Sequence, residues 1–254
     1  MISLTTLIIV CPLLALAGFI DSIAGGGGLI SLPAYVFAGL PMHEAIATNK
    51  LSSTMGTAVS AFKYWKEGYF KPKLCLAGIV GAIIGSFAGS NLSIYLEERI
   101  LKIMILFVLP VVAFYVLKKK DMGESSGKEP FSDKKTALLT FCVAVVLGVY
   151  DGLYGPGTGT FLILLFSGVC RMSIQDSQGT CKAINLATNT TALVVFLIHA
   201  KVLIPLGLIA GVSNMIGNYI GSRAFTKKGG AKFVRPLILI NCIIFFVKIC
   251  IEVF

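Results

Sequence analysis

Charge is what this sequence has least of. Aspartate, glutamate, lysine and arginine make up 13 % of its 254 residues, where a soluble domain carries about 25 %. Apolar residues make up 56 %, and the mean hydropathy is +0.87. So few charges cannot cover a water-facing surface, which excludes an ordinary soluble globule and makes lipid the solvent. At about 20 apolar residues per crossing, the chain has room for roughly eight to ten segments and no separate soluble domain. Histidine occurs only at His43 and His199, without a partner at ligand spacing, and none of the seven cysteines forms a CxxC pair. A local metal cluster and a disulfide framework are therefore not signalled, and cysteines within apolar runs act as small hydrophobes. No GxxxxGK[ST] run occurs, so ATP is not the direct energy source. Neither a nucleophile with a base nor a metal set argues for an enzyme, and no cofactor is called for. Basic residues are missing before Lys50, so MISLTTLIIVCPLLALAGFI reads as a first membrane segment rather than a cleaved signal peptide.

The net charge of +10 sits in short loops between apolar runs, as in the cytoplasmic loops of membrane proteins. No interleaving of aromatic and basic residues argues for nucleic acid.

The chain repeats itself. Gly18-Phe-Ile-Asp21-Ser-Ile-Ala-Gly25-Gly-Gly27 matches Gly148-Val-Tyr-Asp151-Gly-Leu-Tyr-Gly155-Pro-Gly157, with glycines and aspartate coinciding. Thr48-Asn49-Lys50 matches Thr180-Cys181-Lys182, and Gly85/Gly89 match Gly217/Gly221. A nearly constant offset over this distance marks a duplication. Residues 1–117 and 136–254 are the two repeats, joined by the polar stretch 118–135, KKKDMGESSGKEPFSDKK.

Each half holds five apolar runs, roughly 2–20, 29–40, 46–62, 74–92 and 100–117, then 136–150, 158–170, 183–200, 202–222 and 236–253. Glycines interrupt the first pair in each half, and its second member is short. A run of about 12 residues spans about 18 Å as a helix, too little for a core of about 30 Å. These pairs read as broken or re-entrant helices near the midplane. Equivalent loops carry opposite charge bias. Lys63, Lys66, Lys71 and Lys73 face only Lys201 in the counterpart, while Arg99 and Lys102, offset by Glu97 and Glu98, face Arg223, Lys227, Lys228, Lys232 and Arg235. The positive-inside rule then places equivalent loops on opposite sides and the linker inside. The fold expected is an all-α polytopic membrane protein of two homologous halves in inverted repeat, with eight or ten crossings left open. A parallel four-plus-four duplication explains the charge reversal less well.

Glycine breaks at membrane depth are costly unless they line a cavity or ligand. Two occur at equivalent positions, Gly25-Gly26-Gly27-Gly28 and Gly155-Pro156-Gly157-Thr158-Gly159-Thr160, and paired breaks point to a transporter's binding site. The helix following each break offers free N–H groups and a positive dipole end, which favour an anion. The competing reading is close helix packing, to which Gly81/Gly85/Gly89 and Gly217/Gly221 are assigned. A polar cluster follows each break: Thr48, Asn49, Lys50, Ser52 and Ser53 in one half, Thr180, Lys182, Asn185 and Asn189 in the other. Lys50 and Lys182 stand at the start of an apolar run. Such amines are expensive and usually functional, and could hold a dianion together or one anion in turn; snorkelling to the interface is the alternative. Asn185 and Asn189 share a helical face. Asp21 and Asp151, just before the breaks, are candidate carriers of a coupled proton, or else cap a helix or pair with a lysine. Lys248 and Glu252 have the spacing of a local ion pair.

The stretch GFIDSIAGGGGLISLPAYVFAGLPMHEAIATNK, with the KYWKEGYF turn, resembles the first signature of the sulfite exporter TauE/SafE family, also called toluene-sulfonate uptake permeases. GVYDGLYGPGTGTFLILLF resembles its second. The resemblance covers nearly the whole chain, departing between Ser167 and Lys182, where VCRMSIQDSQGTC is longer than its counterpart. It implies about eight spans from a duplicated unit and a multi-pass permease of the bacterial inner membrane for sulfite, sulfoacetate or other organosulfonates.

The reading is then a secondary anion transporter, with a passive anion channel as the alternative. The anion sits between the halves, at the two glycine breaks, with Lys50 and Lys182 supplying charge and Asn49, Asn185, Asn189, Thr158 and Thr160 hydrogen bonds. Its partners are the small anionic solute and the bilayer, with coupled protons and a second copy of the chain as candidates.

Overall fold

The computed structural model describes residues 4–97, 99–100, 131–227 and 236. Eight α-helices are described and no strand occurs among these residues: α1 (Leu4–Ala24), α2 (Gly28–Phe37), α3 (Met42–Lys66), α4 (Pro72–Tyr95), α5 (Asp133–Leu153), α6 (Thr158–Gly168), α7 (Ile174–Ile198) and α8 (Ile204–Thr226). Residues 101–130 and 237–254, holding most of the fifth run of each half, most of the linker and the Lys248–Glu252 pair, lie outside the described residues.

α1, α4, α5 and α7 are long and apolar enough to cross a membrane, by length and composition. The surface of the bundle fits that solvent. α4 buries Gly78, Gly81, Gly85, Ser86, Gly89 and Ser90 while exposing Leu76, Ile83, Ile84 and Phe87. α8 likewise buries Gly207, Gly211, Gly217 and Gly221 and exposes Leu208, Val212, Ile216 and Ile220. Small residues inside and large apolar ones outside reverse the pattern of a water-soluble helix. They suit lipid, where helices associate by close backbone packing.

The helices fall into two sets of four, of 21, 10, 25 and 24 residues and then 21, 11, 25 and 23. Their contacts fix relative directions. Gly81, Gly85 and Gly89 of α4 pack in step on Phe141, Val145 and Val149 of α5, so these helices run parallel. Cys75, Gly78 and Ser86 of α4 meet Thr180, Ile184 and Thr188 of α7, also in step. α8 rises alongside α3, with Gly207 on Leu51 and Gly211 on Met55, and alongside α1, with Gly217 on Ala15 and Gly221 on Phe19. α3 and α7 run in opposite directions: Thr48 meets Leu203, Lys50 meets Asn189, and Tyr69, just past α3, meets Gly179.

The assignment of Gly85 and Gly89 to packing has a direct consequence. A Cβ on Gly85 would stand 2.2 Å from the carbonyl oxygen of Val145, and one on Gly89 2.1 Å from that of Val149. Gly85→Leu is expected to force α4 from α5 and to cost upwards of about 3 kcal/mol, read as a large fall in thermal stability in detergent.

Lys50 and Lys182, at the start of their apolar runs, stand two turns inside their helices, because α3 begins at Met42 and α7 at Ile174. Their first turns are polar, which hides them from an apolar-run reading. The Ser173 hydroxyl caps α7 by accepting the Asp176 N–H at 3.0 Å, and Glu44 and Asp176 lie where the helix dipole favours an acid.

Candidate functional site

Both glycine breaks are real interruptions. α1 ends at Ala24 and α2 begins at Gly28; α5 ends at Leu153 and α6 begins at Thr158. At 10 and 11 residues, α2 and α6 reach only about 15–17 Å. Gly25, Gly155 and Gly157 have φ of +74°, +94° and +83°, a left-handed backbone that glycine adopts at little cost.

The two breaks pack on each other. The Thr160 N–H donates to the Gly25 carbonyl at 3.1 Å, and its hydroxyl to the Ala24 carbonyl at 2.9 Å. The start of α6 thus satisfies carbonyls that the end of α1 leaves unpaired. No side chain fits between: a Cβ on Gly25 would lie 2.2 Å from the Gly159 carbonyl carbon.

Around this junction lie two ion pairs, Lys50–Asp151 buried and Lys182–Asp21 part-buried, each joining one half to the other. Lys50 Nζ of α3 donates to Asp151 Oδ2 of α5 at 2.7 Å and to Asn189 Oδ1 of α7 at 3.1 Å. Lys182 Nζ of α7 donates to Asp21 Oδ2 of α1 at 2.7 Å and to the Asp21 main-chain carbonyl. Lys50 is 2 % exposed and Lys182 0 %, so both lysines lie inside rather than snorkelling. An isolated ammonium at that burial would be prohibitively costly, and only a hydrogen-bonded partner makes it tolerable. Asp21 Oδ1 also accepts the Gly27 N–H at 3.3 Å.

A small, partly open cleft lies beside the first pair. The breaks contribute Gly25, Gly28, Gly155, Gly157, Thr158 and Gly159; α3 contributes Asn49, Lys50 and Ser53; α5 contributes Asp151, and α7 contributes Asn185 and Asn189. Most of the candidates read from sequence therefore share one cavity. Gly26, Gly27, Thr160, Lys182 and Asp21 do not line it. Gly27 is packed against the Asp21 side chain and the Ala17 carbonyl, Gly26 accepts the Leu29 N–H within its turn, and Thr160 and Lys182 are committed as described. The Thr158 hydroxyl closes its own turn, donating to the Gly155 carbonyl at 2.8 Å.

What remains facing the cleft is the start of both short helices, the Lys50–Asp151 pair, Ser53 and three amides. The Ser53 hydroxyl donates to Asn49 Oδ1 at 3.4 Å, steadying that side chain. Asn185 is 5 % exposed, and its Oδ1 has no hydrogen-bond partner among the described residues. Sequence reasoning missed Gln178, fully buried, whose amide donates to the Ile23 carbonyl at the end of α1. Its signal was an amide where the first half has Ile46.

Four helices long and apolar enough to cross a membrane, with large apolar side chains on their outer faces and charge buried inside, fit a polytopic membrane transporter. Residues 10–249 match the sulfite exporter TauE/SafE family, and the chain belongs to that family of bacterial membrane transporters rather than to any class of enzymes. It is similar to "Probable membrane transporter protein ORF9" of Sinorhizobium sp, 34 % identical over 89 % of this chain and 85 % of that protein. It is also similar to "Probable membrane transporter protein YfcA" of Escherichia coli (strain K12), 31 % identical over 89 % of this chain and 82 % of the relative. "Probable membrane transporter protein YdhB" of Bacillus subtilis (strain 168) is 26 % identical over 81 % and 83 %. No solved structure matches the chain.

Proposed function

We propose that the protein is a secondary transporter that moves a small sulfur-containing anion, such as sulfite, sulfoacetate or a related sulfonate, across the bacterial plasma membrane. The observation that carries this reading is convergence. Gly28 and Thr158, the first residues of α2 and α6, line one cleft with Lys50. Two positive helix ends and an ammonium favour an anion over any other small solute. The family description supports sulfite as the member of that class to test first.

Alternating access requires halves that can exchange roles, and the helix directions favour that plan. α1, α3 and α8 run one way; α4, α5 and α7 run the other. Helices at equivalent places in the two sets (α1 and α5, α3 and α7, α8 and α4) therefore oppose each other, as in an inverted repeat. The same directions gather Lys63, Lys66, Lys71, Lys73, Lys134, Lys135, Arg223 and Lys227 at one end of the bundle, leaving Arg99 and Lys201 at the other. We assign the lysine-rich end to the cytoplasm. Lys66→Cys is then expected to react with a membrane-impermeant maleimide only in inside-out vesicles, and Lys201→Cys only from the periplasm. Labelling of both from one side overturns the topology.

Of the two acids read as coupling candidates, Asp151 lines the cleft and is placed to respond to cargo. The function is tested by flux of labelled sulfite and sulfoacetate in proteoliposomes. Saturable movement against a concentration gradient is expected. Movement only down the gradient identifies a channel instead, and no saturable flux of any organosulfur anion removes the reading.

A further inference from the structure

Resting on that functional reading, we infer that the protein holds a second anion station, built on Lys182 and Gln178, which serves the cytoplasmic face as the Lys50 cleft serves the periplasmic one. Gln178, Lys182, Asn185 and Asn189 follow one another at intervals of four, three and four residues, so they share one face of α7. All four are buried, from 0 % exposed at Gln178 and Lys182 to 8 % at Asn189. Polar and ionisable side chains inside a membrane bundle are costly and mark solute paths. The two lysines on this stripe lie at opposite depths. Asn189 accepts from Lys50, which stands two turns, about 12 Å, inside the Met42 end of α3. Lys182 stands two turns inside the Ile174 end of α7. Thr48, near the first of these ends, accepts the Leu203 N–H, which places that end beside Lys201. Asp176, at the second, pairs with Lys71 at 2.6 Å, which makes it the lysine-rich end assigned above to the cytoplasm.

The glycine junction crosses the stripe between the two lysines. Cys181 Sγ donates to the Gly159 carbonyl at 3.4 Å, and a Cβ on Gly159 would lie 2.7 Å from Asn185 Nδ2. On one side of that crossing, Asn185 and Asn189 line the cleft; on the other, Gln178 and Lys182 do not. The two stations nevertheless match in kind. The Lys50 ammonium is shared by a carboxylate and an amide oxygen, Asn189 Oδ1. The Lys182 ammonium is held by the Asp21 carboxylate and main-chain carbonyl, with an amide oxygen in place but idle. That oxygen is Gln178 Oε1, buried one turn before Lys182 on the same face, with no hydrogen-bond partner among the described residues. The Gln178 amide nitrogen donates to the Ile23 carbonyl, which fixes which end of the amide is free. A buried acceptor left unpartnered calls for a donor, and the Lys182 ammonium is the donor one turn along. In the opposite-facing state Lys182 leaves the Asp21 main-chain carbonyl and turns to Gln178 Oε1. Its remaining N–H then meets the anion, as that of Lys50 does beside Asn189.

The test measures KM for labelled sulfite at each face of the full-length protein, in right-side-out and inside-out membrane vesicles. Gln178→Met keeps the length of the side chain and removes the idle acceptor. It is expected to raise KM at the cytoplasmic face by about tenfold relative to KM at the periplasmic face, the effect of one hydrogen bond to a charged group. Loss of the Ile23 hydrogen bond alone is a structural effect and would move both faces alike. An equal change at both faces, or none, therefore overturns the second station. A second variant decides the matter if Gln178→Met does not fold. Lys182→Gln combined with Asp21→Asn removes the pair without stranding either charge. It is expected to bind sulfite in detergent within about threefold of the wild-type affinity, because neither residue lines the Lys50 cleft, and to lose downhill flux by about a hundredfold or more. Flux near the wild-type rate overturns the station, and so does loss of binding together with flux in the folded protein. If the wild-type protein carries no organosulfur anion saturably, the functional reading itself fails, and the second station with it.

Discussion

Lys50→Gln is expected to abolish transport and to destabilise the protein by about 3–5 kcal/mol, the usual cost of leaving one member of a buried ion pair without its partner. The substitution strands the Asp151 carboxylate, which is 3 % exposed. It also removes the one cation lining the cleft among the described residues. Stability and function separate in the double variant Lys50→Gln with Asp151→Asn. Removing both charges relieves the stranded carboxylate, so thermal stability in detergent should largely recover. Flux should stay lost, because no cation remains to meet the anion. If flux returned with stability, Lys50 would be a structural residue and not part of the binding site.

Gly25→Ala is expected to prevent accumulation of folded protein in the membrane. The added Cβ would stand 2.2 Å from the Gly159 carbonyl carbon and 2.6 Å from the Thr160 backbone nitrogen. Neither can yield, since the Thr160 N–H holds the Gly25 carbonyl. Part of any effect comes from forcing alanine to a φ of +74°, a strain of about 1–2 kcal/mol. Gly39 supplies the control. Its φ is +89°, but nothing lies within 4 Å of its would-be Cβ, so Gly39→Ala should show the backbone strain alone. A Gly25→Ala protein as stable as Gly39→Ala would mean that the two breaks do not pack as described. Yield in the membrane and unfolding temperature in detergent measure both.

Much of this site could be read from sequence because its elements are local. The glycine breaks violate the requirement that lipid-embedded backbone be satisfied, and Lys50 and Lys182 violate the expected absence of charge. Both violations recur at nearly the same offset, so the chain itself marked them as paired. What could not be read was which lysine meets which aspartate. Lys50 and Asp151 are separated by 101 residues, and Lys182 and Asp21 by 161; no periodicity carries across such gaps. Capping an adjacent helix and pairing with a lysine were both compatible with an aspartate before a break; Lys50 reaches Asp151 and Lys182 reaches Asp21 across the halves, while Asp21 also accepts the Gly27 N–H at the start of α2. The inequivalence of the lysines was equally hidden. The duplication suggests matching roles, yet the acceptor Asn189 beside Lys50 has Thr57 as its counterpart at the 132-residue offset of Lys50 and Lys182, and Asn49 has Cys181. The cleft described above is lined by Lys50, with Asn49 and Asn189 beside it, and not by Lys182. The starts of α3 and α7 lie upstream of the apolar runs because polar first turns do not register in a search for such runs.

The reciprocity of the two ion pairs bears on where such a molecule came from. The lysine of the first half meets the aspartate of the second, and the lysine of the second meets the aspartate of the first. That is the contact pattern of an isologous dimer, in which one patch serves as its own complement. A single unfused unit carrying one lysine and one aspartate could assemble with a second copy of itself and leave no charge stranded. Joining two such units in one chain would keep both pairs balanced while leaving the two lysines free to take different surroundings.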